Sequence, residues 1–272
     1  MISTSTAITS LALPQLEPYK TLKRPIDHQR KGIFVAEGDK VTMRLLQSSL
    51  DVQSILLSYD WLEKCRALIE QQHSPINVYV GEKKLLETIV GHDLHQSIMA
   101  VAKIPKAPSI TEVLAATKKP YFFIAVDGIM NSENMGVIVR NCAAFGVQAL
   151  LVGDSSCDPY LRRSVRNSMG NIFSLSIVYF KNIADELRSL HTQHNVSMIA
   201  ADAHTNSVLS HQMDATKNCC IVLGSEGSGI SEKVLSVCNE AVTIPMRSNV
   251  DSLNVANASA VLMYEVMRQR NL

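Results

Sequence analysis

Short apolar runs separated by amphipathic stretches constrain this chain more than any other feature. In its second half, residues 121–126, 149–152, 172–178, 198–201, 219–223 and 242–244 read as strands. Helical patterns at 134–145, 161–169, 183–193, 231–237 and 255–269 lie between or after them. Strands this apolar, alternating with helices, suit a largely parallel sheet covered on both faces. The first half alternates as well, with strands at 34–36, 52–58, 76–80 and 98–102 and helices at 41–50, 60–72 and 83–90. Asp60 with Glu63, and Ser109 with Glu112, have the spacing of a capping box at a helix start.

The chain has 272 residues, 46% hydrophobic and 19% charged, an ordinary globular composition that excludes disorder and fibrous repeats and has room for two domains. Residues 1–19 show no hydrophobic period and read as a flexible arm. The expected division is an α/β domain over 20–104, a linker and connecting helix over 105–120, and a second α/β domain over 121–272. No run approaches the roughly 18 apolar residues of a membrane span, and no leader pattern opens the sequence, so the expectation is a soluble cytoplasmic protein. Cys65, Cys142, Cys157, Cys219, Cys220 and Cys238 lack Cys-x-x-Cys spacing. They read as buried thiols in a reducing compartment rather than a metal site.

In open α/β sheets ligands bind beyond the carboxyl ends of the strands. Three polar loops stand at such positions. The first, residues 127–136, leads into a helix that carries Arg140. On its own it reads first as a helix start capped by Asn134 with a surface arginine, and second as an anion site. The second, residues 224–229, is glycine-rich but has neither the Gly-Lys-Ser/Thr ending of a triphosphatase nor the dinucleotide glycine spacing. Glu226 in that loop would repel phosphate and suit a ligand with donors or positive charge. The third, residues 245–254, enters a helix of small and apolar residues with Ser252 as a plausible cap. Three such loops together point to a site.

These segments resemble the three signature motifs of the SpoU/TrmH family of RNA 2′-O-ribose methyltransferases, in the SPOUT superfamily. The first is carried by Asn131, Asn134, Gly136 and Arg140, and the second by Leu223, Gly224, Glu226 and Gly229. The third is carried by Ile244, Pro245, Met246, Ser252, Leu253, Asn254, Ala256 and Ala258. The first domain is similar to the family's small substrate-binding domain through Arg30, Phe34, Glu37, Gly38, His95 and Gln96. Ser97 and Ser132 stand where members often have glycine and proline.

The resemblance implies a C-terminal α/β domain with a deep trefoil knot and a mostly parallel sheet, a homodimer, and S-adenosylmethionine as cofactor. It places the cofactor against Leu223, Gly224, Ile244, Met246 and Leu253, and the catalytic machinery at Asn134, Arg140, Glu226, Ser252 and Asn254. Methyl transfer to a hydroxyl needs alignment and help with a proton, but no metal. Because a guanidinium holds its proton tightly, Arg140 is assigned to fixing the target phosphate and stabilising the alkoxide rather than to the base role. Net charge is only +1, so RNA contact must rest on local patches: Lys23, Arg24 and Arg30 in a cationic stretch, and Arg162, Arg163 and Arg166 on one helical face. Ribosomal RNA is favoured, with transfer RNA the alternative. The competing classes are an RNA-binding member without catalysis and a small-molecule nucleotide enzyme using the same loops.

Overall fold

The computed structural model describes residues 5–90, 97–202, 207–247 and 252–271. The chain forms two compact units, Met1–Lys106 with Tyr160–Phe173, and Ala107–Pro159 with Ser174–Leu272.

The first unit contains β1 (Ser5–Ile8), α1 (Glu17–Lys20), α2 (Pro25–Arg30), β2 (Ile33–Glu37), α3 (Asp39–Leu46), β3 (Val52–Ser58), α4 (Tyr59–Glu70), β4 (Asn77–Gly81), α5 (Lys83–Val90) and β5 (Ile98–Lys103). Its sheet runs β1-β4-β3-β5-β2, with β5 antiparallel to both its neighbours and the other pairs parallel. The expected flexible arm is instead part of this unit. β1 pairs with β4, and Ile8, Leu16 and Tyr19 are buried in the core. Burial of Leu and Tyr side chains stabilises by roughly 1.5–3 kcal/mol each, which offsets the ordering of a short segment. Gly81 permits the close approach, because a Cβ there would stand 3.0 Å from Ile8 Cγ1. The Tyr19 hydroxyl meets Ser54 Oγ at 2.8 Å, and burial pushes the phenol well above its ordinary range. The Asp60–Glu63 capping box does not form, since α4 starts at Tyr59 with Ser58 as a cap that makes no side-chain bond. His95 and Gln96 lie outside the described residues.

The second unit opens with α6 (Ile110–Ala116), whose Ser109–Glu112 capping box forms as expected. There follow β6 (Phe122–Asp127), α7 (Ser132–Ala144) and β7 (Ala149–Gly153). After α8 (Arg162–Asn167) come β8 (Ser176–Phe180), α9 (Ile183–His194), β9 (Ser197–Ala201), β10 (Val208–Leu209), β11 (Cys219–Gly224), α10 (Glu232–Leu235), β12 (Glu240–Thr243) and α11 (Val255–Gln269). The seven strands run β10-β12-β9-β11-β6-β7-β8, every pair parallel. β6 and β11, both buried along their whole length, are neighbours, so the loops after them leave the sheet side by side.

The crossover from β7 to β8 differs from expectation. Residues 160–173, read from the sequence as part of the second domain, pack within the first unit. The Phe34 ring lies 5.3 Å from that of Tyr160 and 5.7 Å from that of Phe173. Arg44 donates to Met169 O at 2.7 Å and to Asn171 Oδ1 at 3.1 Å. Helical periodicity identified a buried face on this segment, but periodicity carries no information about which partner covers it. The strand expected at 172–178 begins only at Ser176, because 171–174 is a tight helical turn.

Candidate active site

Three strand ends build the site. β6 ends on Asp127, and the chain turns at Gly128, whose φ of +75° is costly for any other residue. Asn131 then caps α7, its side-chain oxygen accepting from Glu133 N at 2.8 Å and Asn134 N at 3.3 Å. Asn131, rather than Asn134, is therefore the helix cap. Asn134 is left free to use its side chain elsewhere, and its Nδ2 donates to Glu226 Oε1 at 2.9 Å.

β11 ends on Gly224, directly opposite Asp127 in the sheet. A Cβ on Gly224 would lie 2.3 Å from the carbonyl carbon of Gly229 and 2.3 Å from Ile230 N. Only glycine lets the following turn fold back this closely. The turn is closed by Ser225 N to Gly229 O at 2.9 Å and Gly229 N to Ser225 O at 3.0 Å, which lifts Glu226 to its tip.

α11 is capped by Asn254, whose side-chain oxygen accepts from Ala256 N at 2.9 Å; Ser252, the expected cap, stands before the helix. The Asn254 Nδ2 donates to Asn134 Oδ1 at 3.1 Å and also to Glu226 Oε1. Asn134, Glu226 and Asn254, one from each loop, thus form a closed hydrogen-bonded triangle. Asn141, two turns further along the same face of α7, donates to Ala256 O and Ser259 Oγ, both at 2.9 Å, and fixes α7 to α11 behind it.

Beside this triangle lies a cavity of about 600 Å³. Leu223, Gly224, Ile244, Met246 and Leu253, the expected cofactor contacts, all line it, as do Glu226, Ser252 and Asn254. The volume suits a nucleoside-sized ligand. Among the described residues the lining holds no lysine or arginine but includes two carboxylates, Asp202 and Glu226. Such a wall disfavours phosphates and favours positive charge. It fits S-adenosylmethionine, which joins an apolar adenine to a sulfonium and an ammonium. Leu223, Ile244, Met246 and Leu253 would hold the adenosine portion, with Gly224 offering backbone at close range.

Not every expected residue gathers here. Arg140 is exposed on α7, does not line the cavity, and its side chain has no ion pair or hydrogen bond among the described residues. The expected RNA contacts divide into two groups. Lys23, Arg24 and Arg30 are exposed and carry no ion pair among the described residues. Arg162 and Arg166 instead bind the buried carboxylate of Glu37, Arg166 at 3.0 Å. Arg163 is exposed on the same helix.

Sequence reading missed two residues. Asp127, buried at the end of β6, accepts from Ser231 N and Ser155 Oγ, and the expectation passed over it as a turn residue. Asn141 had as its only signal its place next to Arg140, beside the buried face of the helix. Of the cysteines, Cys65, Cys142, Cys219 and Cys220 are buried, Cys157 and Cys238 partly so, and all are free thiols. Burial pushes Cys238 up to about 12 and Cys157 up to about 11, so neither is a ready nucleophile.

A parallel α/β sheet whose carboxyl edge holds a nucleoside-sized cavity, lined by Asp202, Glu226 and apolar side chains, defines an enzyme of the nucleoside-cofactor-binding class. A sequence profile of the SpoU rRNA Methylase family matches residues 121–264, and the chain belongs to that family. The methyltransferase resemblance read from the three motifs is thereby borne out. Among the relatives is a protein of Mycobacterium bovis described as an uncharacterized tRNA/rRNA methyltransferase, 27% identical over 262 residues, covering 94% of this chain and 89% of that protein. The 23S rRNA (guanosine-2′-O-)-methyltransferase RlmB of Bordetella pertussis is 32% identical over 177 residues, 65% of this chain and 71% of that one. The solved structure of an AdoMet-bound rRNA methyltransferase from Sinorhizobium meliloti has a TM-score of 0.83 at 21% identity, covering 97% of this chain and 98% of that one, a likeness of fold.

Proposed function

We propose that this chain transfers a methyl group from S-adenosylmethionine to a ribose 2′-hydroxyl of ribosomal RNA, and that it does so as a homodimer with the trefoil knot its family resemblance implies. The observation that carries this reading is the Asn134–Glu226–Asn254 triangle standing over a cavity lined, among the described residues, by carboxylates and no cation. Its relatives are named as RNA methyltransferases, one of them a guanosine-2′-O enzyme acting on 23S rRNA. When bound, S-adenosylmethionine supplies a methyl group on a sulfonium that leaves as a neutral thioether.

The chain's own groups do the rest. Asp202 and Glu226 place negative charge around the cavity and favour a cationic ligand there. The triangle fixes the three loops, so that an incoming hydroxyl meets a preformed edge rather than a mobile one. Arg140, exposed and uncommitted among the described residues, is the cation available to hold the target phosphate. Lys23, Arg24 and Arg30 form the leading RNA surface, because Arg162 and Arg166 would first have to leave Glu37. The exposed stripe of Val261 and Tyr264 on α11 is the surface we assign to the second copy. Among the described residues no helix is long and apolar enough to cross a membrane, and an RNA-modifying role suits the cytoplasm.

The test is transfer of labelled methyl from S-adenosylmethionine to unmodified ribosomal and transfer RNA, followed by nuclease digestion. Label on a 2′-O-methyl nucleoside of ribosomal RNA is expected. Label on transfer RNA alone would replace the substrate, label on a base would overturn the mechanism, and absence of cofactor binding would overturn the reading.

A further inference from the structure

Asp127 is 6% exposed, and among the described residues no lysine or arginine pairs with it. A buried carboxylate without a cation is costly unless donors surround it. Here the donors come from separate loops. Oδ2 accepts from Ser231 N at 2.8 Å, just beyond the turn that carries Glu226. Oδ1 accepts from Ser155 Oγ at 3.0 Å, and that hydroxyl oxygen accepts in turn from Gly128 N at 3.0 Å. Gly128 begins the loop that carries Asn134, and a Cβ built on it would lie 3.6 Å from Ser225 Cβ. The carboxylate is therefore bonded to the exit of the second motif loop and, through Ser155, to the entry of the first.

We propose that Asp127 is a positioning residue for methyl transfer, holding the Asn134 loop and the Glu226 loop in the register that lets these side chains meet. This rests on the reading of Asn134 and Glu226 as part of the reaction site. Both Asp127 oxygens accept, so removal of the side chain takes the acceptor from Ser231 N–H and from the Ser155 hydroxyl proton, leaving Ser155 bonded to Gly128 N alone, and lets the two loops drift independently. An asparagine can keep both contacts, its oxygen accepting from Ser231 N and its amide donating to Ser155 Oγ.

The experiment compares the full chain with Asp127→Ala, Asp127→Asn and Ser155→Ala. It measures labelled methyl transfer from S-adenosylmethionine to transcribed ribosomal RNA, together with amide exchange of residues 128–136 and 224–231. Asp127→Ala should lower kcat by about tenfold or more while KM for RNA stays within about twofold, the signature of a lost alignment rather than lost binding. Exchange in the two loops should quicken without change in the strands. Asp127→Asn should return kcat to within about threefold of wild type, and Ser155→Ala, a surface change that spares the fold, should lower it by about two- to fivefold. Unchanged kcat and loop exchange in both Asp127→Ala and Ser155→Ala would overturn the proposal. So would equal loss in Asp127→Ala and Asp127→Asn with exchange raised throughout the unit, which would mark a purely structural carboxylate. Failure of the wild-type chain to methylate RNA would sink the functional reading, and the exchange measurements would still decide whether Asp127 couples the loops.

Discussion

At the carboxyl edge of the seven-stranded sheet, Asn134, Glu226 and Asn254 bond to one another across three loops, Asn134 half-buried and the other two exposed. At the amino edge, Arg270 after the far end of α11 grips the backbone instead. It donates to Ala215 O at 2.8 Å, Pro120 O at 3.2 Å, Tyr121 O at 3.0 Å and Lys217 O at 2.6 Å, and reaches Cys219 Sγ at 3.3 Å. Its guanidinium also lies 5.3 Å from the centroid of the Phe122 ring. One helix of about 22 Å thus joins both edges. Backbone carbonyls held by a guanidinium have no other role open to them, whereas side-chain amides in a triangle can exchange partners with a ligand. Stability is concentrated at one edge and chemistry at the other.

The largest expected effect tests that separation. Arg270→Ala takes the side-chain donor from the carbonyls of Pro120, Ala215 and Lys217 and one of two donors from Tyr121 O, and should lower unfolding free energy by ~3 kcal/mol in urea titration. Arg270→Lys should recover less than half, since an ammonium cannot span the fork of acceptors. S-adenosylmethionine affinity of the folded Arg270→Ala protein should stay within about threefold of wild type. A parallel loss of affinity would show that the two edges are not separable.

Gly224→Ala acts at the opposite edge. A methyl group 2.3 Å from the Gly229 carbonyl carbon forces the turn outward. Calorimetry should show cofactor affinity reduced by about tenfold or more, with stability lowered by ~1–3 kcal/mol. Asn254 sharpens the contrast further, because its oxygen caps α11 while its amide belongs to the triangle. Asn254→Ala should lose both functions, with ~1 kcal/mol of stability and most of the methyl transfer. Asn254→Asp keeps the capping oxygen but sets a second carboxylate against Glu226. Its melting temperature should remain near wild type while transfer is lost, and retained activity would remove the triangle from the site.

The same contrast between committed and open groups recurs among the cations of the first unit. Replacing Lys23, Arg24 and Arg30 together with alanine should weaken RNA binding and reduce the slope of log K against log salt by about 2. Replacing Arg162 and Arg166 should change that slope less and stability more, because Glu37 would be left buried and unpaired. An equal slope change in both sets would mean that Glu37 releases its arginines to RNA.

What the sequence made legible was local. Apolar runs gave six of the seven strands of the large sheet, the two-residue β10 carrying no pattern of its own, and the polar residues following three of them were the ones that gather, since loops at neighbouring strand ends must converge. The capping box at Ser109 was readable because both its partners lie within one turn. Long-range partners were not readable. Glu37 and Arg162 are separated by 125 positions, and nothing near either one identifies the other. The Asx-rich first loop offered several caps, and only the backbone path chose Asn131 over Asn134. β1 was missed because four residues with a single buried side chain carry too little pattern to mark a strand without β4 beside them.

The smallest expected effect concerns acid. Glu265, in the last turns of α11, accepts from Arg268 through both carboxylate oxygens at 2.9 and 2.7 Å and from Gln269 at 2.8 Å. The Arg268 hydrogen bonds, aided by that from Gln269, hold its carboxyl below the ordinary value of 4.5, against the opposing effect of burial. The unfolded chain therefore takes up a proton at higher pH than the folded one. Glu265 contributes stability above the unfolded value, and that contribution is lost as pH falls through the lower folded value. Unfolding free energy measured from pH 6 down to pH 3 should fall more steeply for wild type than for Glu265→Gln. Gln269 donates to Met213 O as well as to Glu265, so the loss acts on the amino edge alone. S-adenosylmethionine affinity of Glu265→Gln at neutral pH should match wild type, and a change there would show that acid at one edge is felt at the other.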